Sequence, residues 1–300
     1  MSSRPACTVV VPTYDREDLL ARTLDALVGQ SLGAGAFEVV VVDDGSRDGT
    51  RDRVAAYTDR LDLRYFFQPD EGFRVAAARN VGIRHARSDV CVFLDSGVLP
   101  HSGALAAHVR HHDGAAPAAV VGYVYCFDHD DTDGERIVST LDLRDVDGSI
   151  AVLRAQGRWL DDRESFYVRY GEDLHDLPAP WLVYWTCNVS ASTRQLRAVG
   201  GFDEAFRRWG GEDLDLAYRL HRSGARFVLD RDAAAVHHPH PKDHAENKRG
   251  QRDNFRYLAG KYATPVTQLL VADPPIGFFD LNDYIRRHRV PHDGGSPTRT

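Results

Sequence analysis

Three short apolar runs, each halted by a turn, constrain this chain more than anything else in it. Residues 8–11 (TVVV) stop at Pro12, residues 37–42 (FEVVVV) at Asp43-Asp44-Gly45-Ser46, and residues 90–94 (VCVFL) at Asp95-Ser96-Gly97. A strand with one wet face alternates apolar and polar residues. These runs do not alternate, so both faces of their sheet must be covered. Between them, residues 18–30 place Leu19, Leu20, Leu24, Leu27 and Val28 at helical spacing, and residues 50–61 and 75–86 are also helical in pattern. Residues 63–67 read as one more strand. The expectation is an α/β fold, a mostly parallel Rossmann-like sheet flanked by helices, with ligands at the carboxyl ends of its strands.

The alternation breaks down over residues 123–185, an acidic and aromatic stretch that reads as an irregular functional region. Order returns at Asn188-Val189-Ser190, a helix over 192–199, the turn Gly200-Gly201 and a helix from Glu212. Short strands at 227–229 and 233–236 and the string His237-His238-Pro239-His240 follow. The polar, turn-rich residues 291–300 read as a disordered tail.

A formal net charge of -7 argues against nucleic acid or an anionic membrane as partner. Cys7, Cys91, Cys126 and Cys187 form no CxxC pair and suit free thiols in a reducing cytoplasm. No apolar run approaches the ~20 residues of a spanning helix, and the first residues lack the order of a signal peptide. A cytoplasmic location is expected, which makes the Asn188 sequon a coincidence.

Several residues carry two readings. Asp43 and Asp44 suit an Asx turn, or a carboxylate that accepts a hydrogen bond from an imide such as uracil N3–H. Asp95 stands at a strand end where a divalent ion could meet two phosphates. Glu212 and Asp213 open a helix, where acidic residues are ordinary caps. Capping does not call for the Trp209-Gly210-Gly211 that precedes them. The histidines at 237, 238 and 240 suit a metal or a surface loop.

In order, VVVPTYDR, VVVDDGS, EGFRVAAARNVGI, FLDSGVLP, NVSASTRQLRAVGGFDE, WGGEDLDLAYRL and AVHHPHP resemble the family 2 glycosyltransferases of the GT-A fold. Within that family they are most similar to the branch of bacterial chondroitin-polymerase domains with a galactosyltransferase-like WGGED segment. The resemblance covers residues 8–240. It implies inverting transfer of a hexose or N-acetylhexosamine from a nucleotide-diphosphate sugar, a UDP-sugar, to an acceptor hydroxyl, with Mn2+ or Mg2+ as cofactor.

By the same resemblance, Pro12, Thr13, Tyr14 and Arg16 line the nucleobase site, and Asp44 bonds the uracil with Asp43 beside it. Gly72, Phe73, Arg74, Arg79, Asn80 and Ser96 belong to the donor side. Asp95 is the first acid of the D-x-D motif. Asp213 is the catalytic base and Glu212 its partner toward sugar or acceptor hydroxyls. Trp209, Gly210, Gly211 and Asn188 contact substrate. His237 completes the metal site with Asp95, and His238 is the register alternative. The implied domain covers residues 1–262, divided into a nucleotide-binding half to 122 and an acceptor-binding half from 123, with a C-terminal extension over 263–300.

One departure stands out: the third D-x-D position is Gly97. That loss leaves open a metal-independent variant with Arg74 or Arg79 against the diphosphate, and a sugar-nucleotide binder with lost catalysis. A sugar-1-phosphate nucleotidyltransferase would need a glycine-rich basic loop after the first strand, and a dinucleotide oxidoreductase a G-x-G-x-x-G. The chain has neither.

Overall fold

A computed structural model describes residues 4–114, 116–127 and 132–292. The tail expected over 291–300 lies outside the described residues from position 293 onward.

Eight strands form one sheet: β1 (Thr8–Thr13), β2 (Glu38–Asp43), β3 (Asp62–Phe67), β4 (Val90–Leu94), β5 (Val98–Pro100), β6 (Ala118–Tyr125), β7 (Asn188–Ser192) and β8 (Arg226–His237). Around it pack α1 (Glu17–Val28), α2 (Thr50–Ala55), α3 (Val75–His85), α4 (Ala104–Val109), α5 (Gly134–Thr140), α6 (Val146–Gln156), α7 (Glu164–Tyr170), α8 (Thr193–Ala198), α9 (Glu212–Arg222), α10 (His244–Tyr262), α11 (Pro265–Gln268) and α12 (Leu281–His288).

The strand order is β3-β2-β1-β4-β7-β6-β8-β5. β1 to β4 are parallel, as the continuous apolar runs of β1, β2 and β4 require, and alternate valines feed opposite layers. Val9 and Val11 join the Leu20, Leu24 and Leu27 face of α1, whereas Val10 packs with Ala76 and Ile83 of α3. The order turns back between β1 and β4, which opens a crevice at their carboxyl ends. The sheet is not parallel throughout: β7 runs antiparallel to both β4 and β6, and β5 antiparallel to β8.

The described residues between 123 and 185 are not irregular. They complete β6 and carry α5, α6 and α7. These helices are one to three turns long, so each shows too few buried positions for a periodic signal. α6 declares itself only at its ends, where Asp145 accepts from the Gly148 amide at 2.8 Å and Gly157 closes the helix at φ +60°. The two strands expected at 227–229 and 233–236 are one strand, β8. The polar Asp230-Arg231-Asp232 interrupts its hydropathy where the register with β6 shifts. Position 122 falls inside β6. The chain beyond 262 shares the main core through Val266, Leu281 and Ile285.

Asn188 and the α4 histidines form a closed network between β7 and α4. His108 Nε2 donates to Asn188 Oδ1 at 2.9 Å, Ser190 Oγ lies 3.1 Å from His108 Nδ1 and 2.9 Å from His112 Nε2, and Asn188 Nδ2 donates to the Ala233 carbonyl at 2.8 Å. Burial pushes both His108 and His112 down to about 4. In the unfolded chain they titrate near 6.5. The unfolded state therefore binds protons that the folded state refuses, and stability present above about pH 6.5 is lost as pH falls toward 4. Thermal melts across that window should show the loss, and His112→Gln should flatten it. An equally steep fall in that variant would clear this network of responsibility.

Candidate active site

Three strand ends build one wall of the crevice. Thr13 closes β1, and its carbonyl accepts the Asp44 amide at 2.9 Å, which ties the turn after β2 to it. Asp43 is 1% exposed and fully engaged: Oδ1 accepts from the Gly45 and Ser46 amides and Oδ2 from the Tyr65 hydroxyl. It shapes the turn. Asp44 is buried as well, and both of its oxygens are engaged. It accepts from Gln68 Nε2 at 2.6 Å and the Arg74 amide at 2.9 Å, and burial raises its carboxyl above the ordinary range. Tyr14 and Phe73 stand exposed beside it, Tyr14 bonded to Asp70, and Gly72 turns at φ +83° between Asp70 and Phe73.

The turn after β4 carries Asp95. Ser96 is buried and donates to the Pro12 carbonyl at 2.9 Å, so it fastens β4 to β1 instead of pointing outward. Gly97 sits at φ +96° and donates its amide to Thr23 Oγ of α1 at 2.9 Å. Few side chains tolerate that backbone, a local reason why no acid fills the third D-x-D position.

Arg79 of α3 joins the two sides of the crevice. Its guanidinium is 4% exposed and donates at 2.9 Å to Asp95 Oδ1 and at 2.9 Å to Glu212 Oε1, over the face of Phe202. Both of its terminal nitrogens are engaged while its Nε has no partner among the described residues, and Arg74 pairs through Nη1 with Glu71. The next residue, Asn80, clamps the turn before α9: it exchanges hydrogen bonds with both backbone groups of Phe202 and donates to Glu204. A Cβ on Gly201 would lie 2.4 Å from Asn80 Oδ1, and its φ is +70°, so only glycine serves there. Asn80 is thus a brace and not a nucleotide contact.

Glu212 and Asp213 open α9 after two left-handed glycines, Gly210 at φ +85° and Gly211 at φ +101°. Glu212 Oε2 is buried without a partner among the described residues. Asp213 accepts only its neighbour's amide from Leu214, at 2.8 Å. Burial, and then the Glu212 charge, raise its carboxyl to about 7 against the pull of Arg79. Trp209 is 40% exposed at the mouth. Asn188, buried in the sheet as described above, cannot contact substrate.

His237 ends β8 directly opposite Val98, and the His238 amide donates to the Gly97 carbonyl at 2.8 Å, so both histidines flank the Asp95 turn. His237 Nδ1 is buried without a partner among the described residues, and burial together with Lys242, His240 and Arg16 holds the ring well below its ordinary pKa. A neutral imidazole with an orphaned nitrogen suits a metal. No group of three His, Cys, Asp or Glu converges among the described residues, so phosphate and water would complete the shell. Two further contacts carry no sequence signal, since both join residues far apart in the chain. Phe127 stacks on His237 with centroids 5.4 Å apart, and Arg16 donates to His240 Nε2 at 3.0 Å.

The model of glycosyl transferase family 2 matches residues 8–166, more than half of the chain, and that of the N-terminal domain of galactosyltransferase matches residues 169–241. The chain belongs to glycosyl transferase family 2. Within the family, it is 39% identical over 277 residues to validoxylamine A glucosyltransferase of Streptomyces hygroscopicus subsp. limoneus, covering 92% of this chain and 61% of that one. It is 28% identical over 254 residues to the chondroitin synthase of Escherichia coli, covering 83% of this chain and 37% of that one. It thus spans less than two thirds of either relative. Among solved structures of GT-A type, S. aureus TarS residues 1–349 with UDP-GlcNAc superimposes with TM-score 0.62 at 19% identity, over 85% of this chain and 66% of that one. The mannosyltransferase PcManGT of Pyrobaculum calidifontis with GDP-Man and Mn2+ gives 0.61 at 21%, over 87% and 65%.

Removing the guanidinium strands two carboxylates at a buried junction. Arg79→Met should cost on the order of 3 kcal/mol of stability, and Arg79→Met with Glu212→Gln should recover part of it. Denaturant melts of the single and double variants check this, and a single variant as stable as the parent would remove Arg79 as the junction.

Proposed function

We propose that this chain is an inverting glycosyltransferase that carries a hexose from a UDP-sugar to an acceptor hydroxyl. The Arg79 bridge supports the reading most directly, because it sets a base with a near-neutral pKa beside the strand ends where a sugar nucleotide would lie. Asp213 takes the proton of the attacking hydroxyl, and the orphaned Glu212 Oε2 accepts a hydrogen bond from a neighbouring hydroxyl of the acceptor or sugar. Trp209 offers an apolar face to the acceptor ring. Asp44 meets the uracil imide, and Tyr14 and Phe73 flank it. Asp95 and His237 would hold a divalent cation, which when bound would supply positive charge against a diphosphate. The four buried free cysteines suit a reducing compartment, the cytoplasm. Among the described residues no helix is long and apolar enough to cross a membrane.

Glucose and validoxylamine A are the first pair to test, because the relative at 39% identity is named for that transfer. Asp213→Asn keeps the shape and loses the proton acceptor, so single-turnover transfer should fall by about 10²-fold or more while UDP affinity holds. Normal transfer by that variant would remove Asp213 from the chemistry.

The second test is calorimetric. UDP should bind more tightly than GDP in Mn2+, chelation with EDTA should weaken it, and Asp95→Ala should abolish the metal dependence. Stronger GDP binding would overturn the choice of base, and equal binding in EDTA would overturn the cation.

A further inference from the structure

α10 lies beyond both family matches, which end at residue 241, yet it crosses the turn that leads into the acid pair. Its Asn254 is 7% exposed and donates from Nδ2 to three successive backbone carbonyls: Arg208 at 3.0 Å, Trp209 at 3.4 Å and Gly210 at 2.5 Å. Three carbonyls can gather on one amide because Gly210 and Gly211 both take left-handed backbone. One helical turn earlier, Gly250 lets the helix come close, since a Cβ there would lie 3.1 Å from Arg208 Cβ and 3.3 Å from the Trp209 carbonyl. Two turns later, Lys261 Nζ and Tyr262 Oη donate to Asp215 Oδ1, at 2.6 and 2.8 Å. One helix therefore grips the chain on both sides of Glu212 and Asp213.

We propose that Asn254 is a positioning residue, holding the Trp209-Gly210-Gly211 turn so that Trp209 and the acid pair meet the acceptor in register. The proposal rests on the glycosyl-transfer reading above. Asn254 acts only through the turn's backbone, so its removal should injure the acceptor side and spare the nucleotide side, which is built on the ends of β1, β2 and β4. An aspartate of the same shape turns an acceptor oxygen toward three carbonyl oxygens, and alanine leaves those carbonyls without their donor.

The test uses Asn254→Asp and Asn254→Ala in the full chain, with Leu258→Val as a control that loosens the same helix inside the core without touching the turn. Three quantities are read: UDP affinity, KM and kcat for the donor and acceptor pair that the parent turns over, and amide hydrogen exchange in residues 205–214. Expected are a loss of roughly tenfold or more in kcat/KM for the acceptor, UDP affinity close to that of the parent, faster exchange around Trp209 to Asp213, and a near-normal control. Unchanged kcat/KM in both Asn254 variants overturns the proposal. So does a loss matched by Leu258→Val or by failed UDP binding. Should the parent itself transfer no sugar, the glycosyl-transfer reading fails, and exchange rates alone decide the clamp: rates equal to the parent's overturn it.

Discussion

The guanidinium of Arg79 is the interaction on which the rest of the site depends. It belongs to α3, packed on the parallel half of the sheet, and its two arms reach the end of β4 and the start of α9. A buried cation is tolerated only when its charge is matched. Arg79 obtains that from two carboxylates that come 117 residues apart in sequence, at 95 and 212. Neither carboxylate can move far without uncovering it. The distance between the proposed donor and acceptor sides is therefore set by one rigid, planar group.

Packing reinforces the same placement. α3 approaches β1 so closely that a Cβ on Gly82 would lie 2.3 Å from a methyl of Val10. Asn80 then anchors the backbone of Phe202, so the chain entering α9 is held by α3 just as firmly as its carboxylate is. On the far side, Asp215 is buried against Arg219, Lys261 and Tyr262. The acid pair is thus framed by polar contacts on α3, on its own helix and on α10, while Trp209 remains at the surface.

Much of the parallel half is legible in the sequence because its signals are local. Runs of valine need cover on both faces, and the Asp43-Asp44-Gly45 and Asp95-Ser96-Gly97 turns mark where those runs end. Sequence reasoning cannot separate a residue that shapes a site from one that faces it. Asp43 and Asp44 are adjacent and chemically identical, yet Asp43 closes the turn on Gly45, Ser46 and Tyr65 while Asp44 accepts from Gln68 and from the amide of Arg74 at the start of α3. Asn188, expected to contact substrate, has its amide consumed by His108 and Ala233, partners far away in the chain. α10 is nearly silent in the sequence. Its residues, HAENKRGQRDNFRYLAGKY, are polar along most of its length, and it buries only Gly250, Asn254, Leu258 and Ala259. Such a helix has almost no hydropathy signal, because its hold on the molecule is made of polar contacts and close backbone approach.

The acid at 213 shows how such a frame tunes chemistry. Several influences act on its carboxyl. The positive end of α9 favours the ionised form by about 0.3–1 kcal/mol, less than one pKa unit, and Arg79 pulls the same way. Burial and the adjacent Glu212 push against both, and removal from water alone shifts a fully buried carboxyl by up to roughly 3–5 units. Burial wins, and Asp213 rests at about 7. A carboxylate with an ordinary pKa would be a weak base toward a sugar hydroxyl, and one raised much further would be protonated at neutral pH. Arg79 acts against that rise, pulling the Asp213 carboxyl down where burial and the Glu212 charge push it up. A buried arginine therefore ties the end of β4 to the start of α9 and lowers the carboxyl of the proposed base against the push of burial.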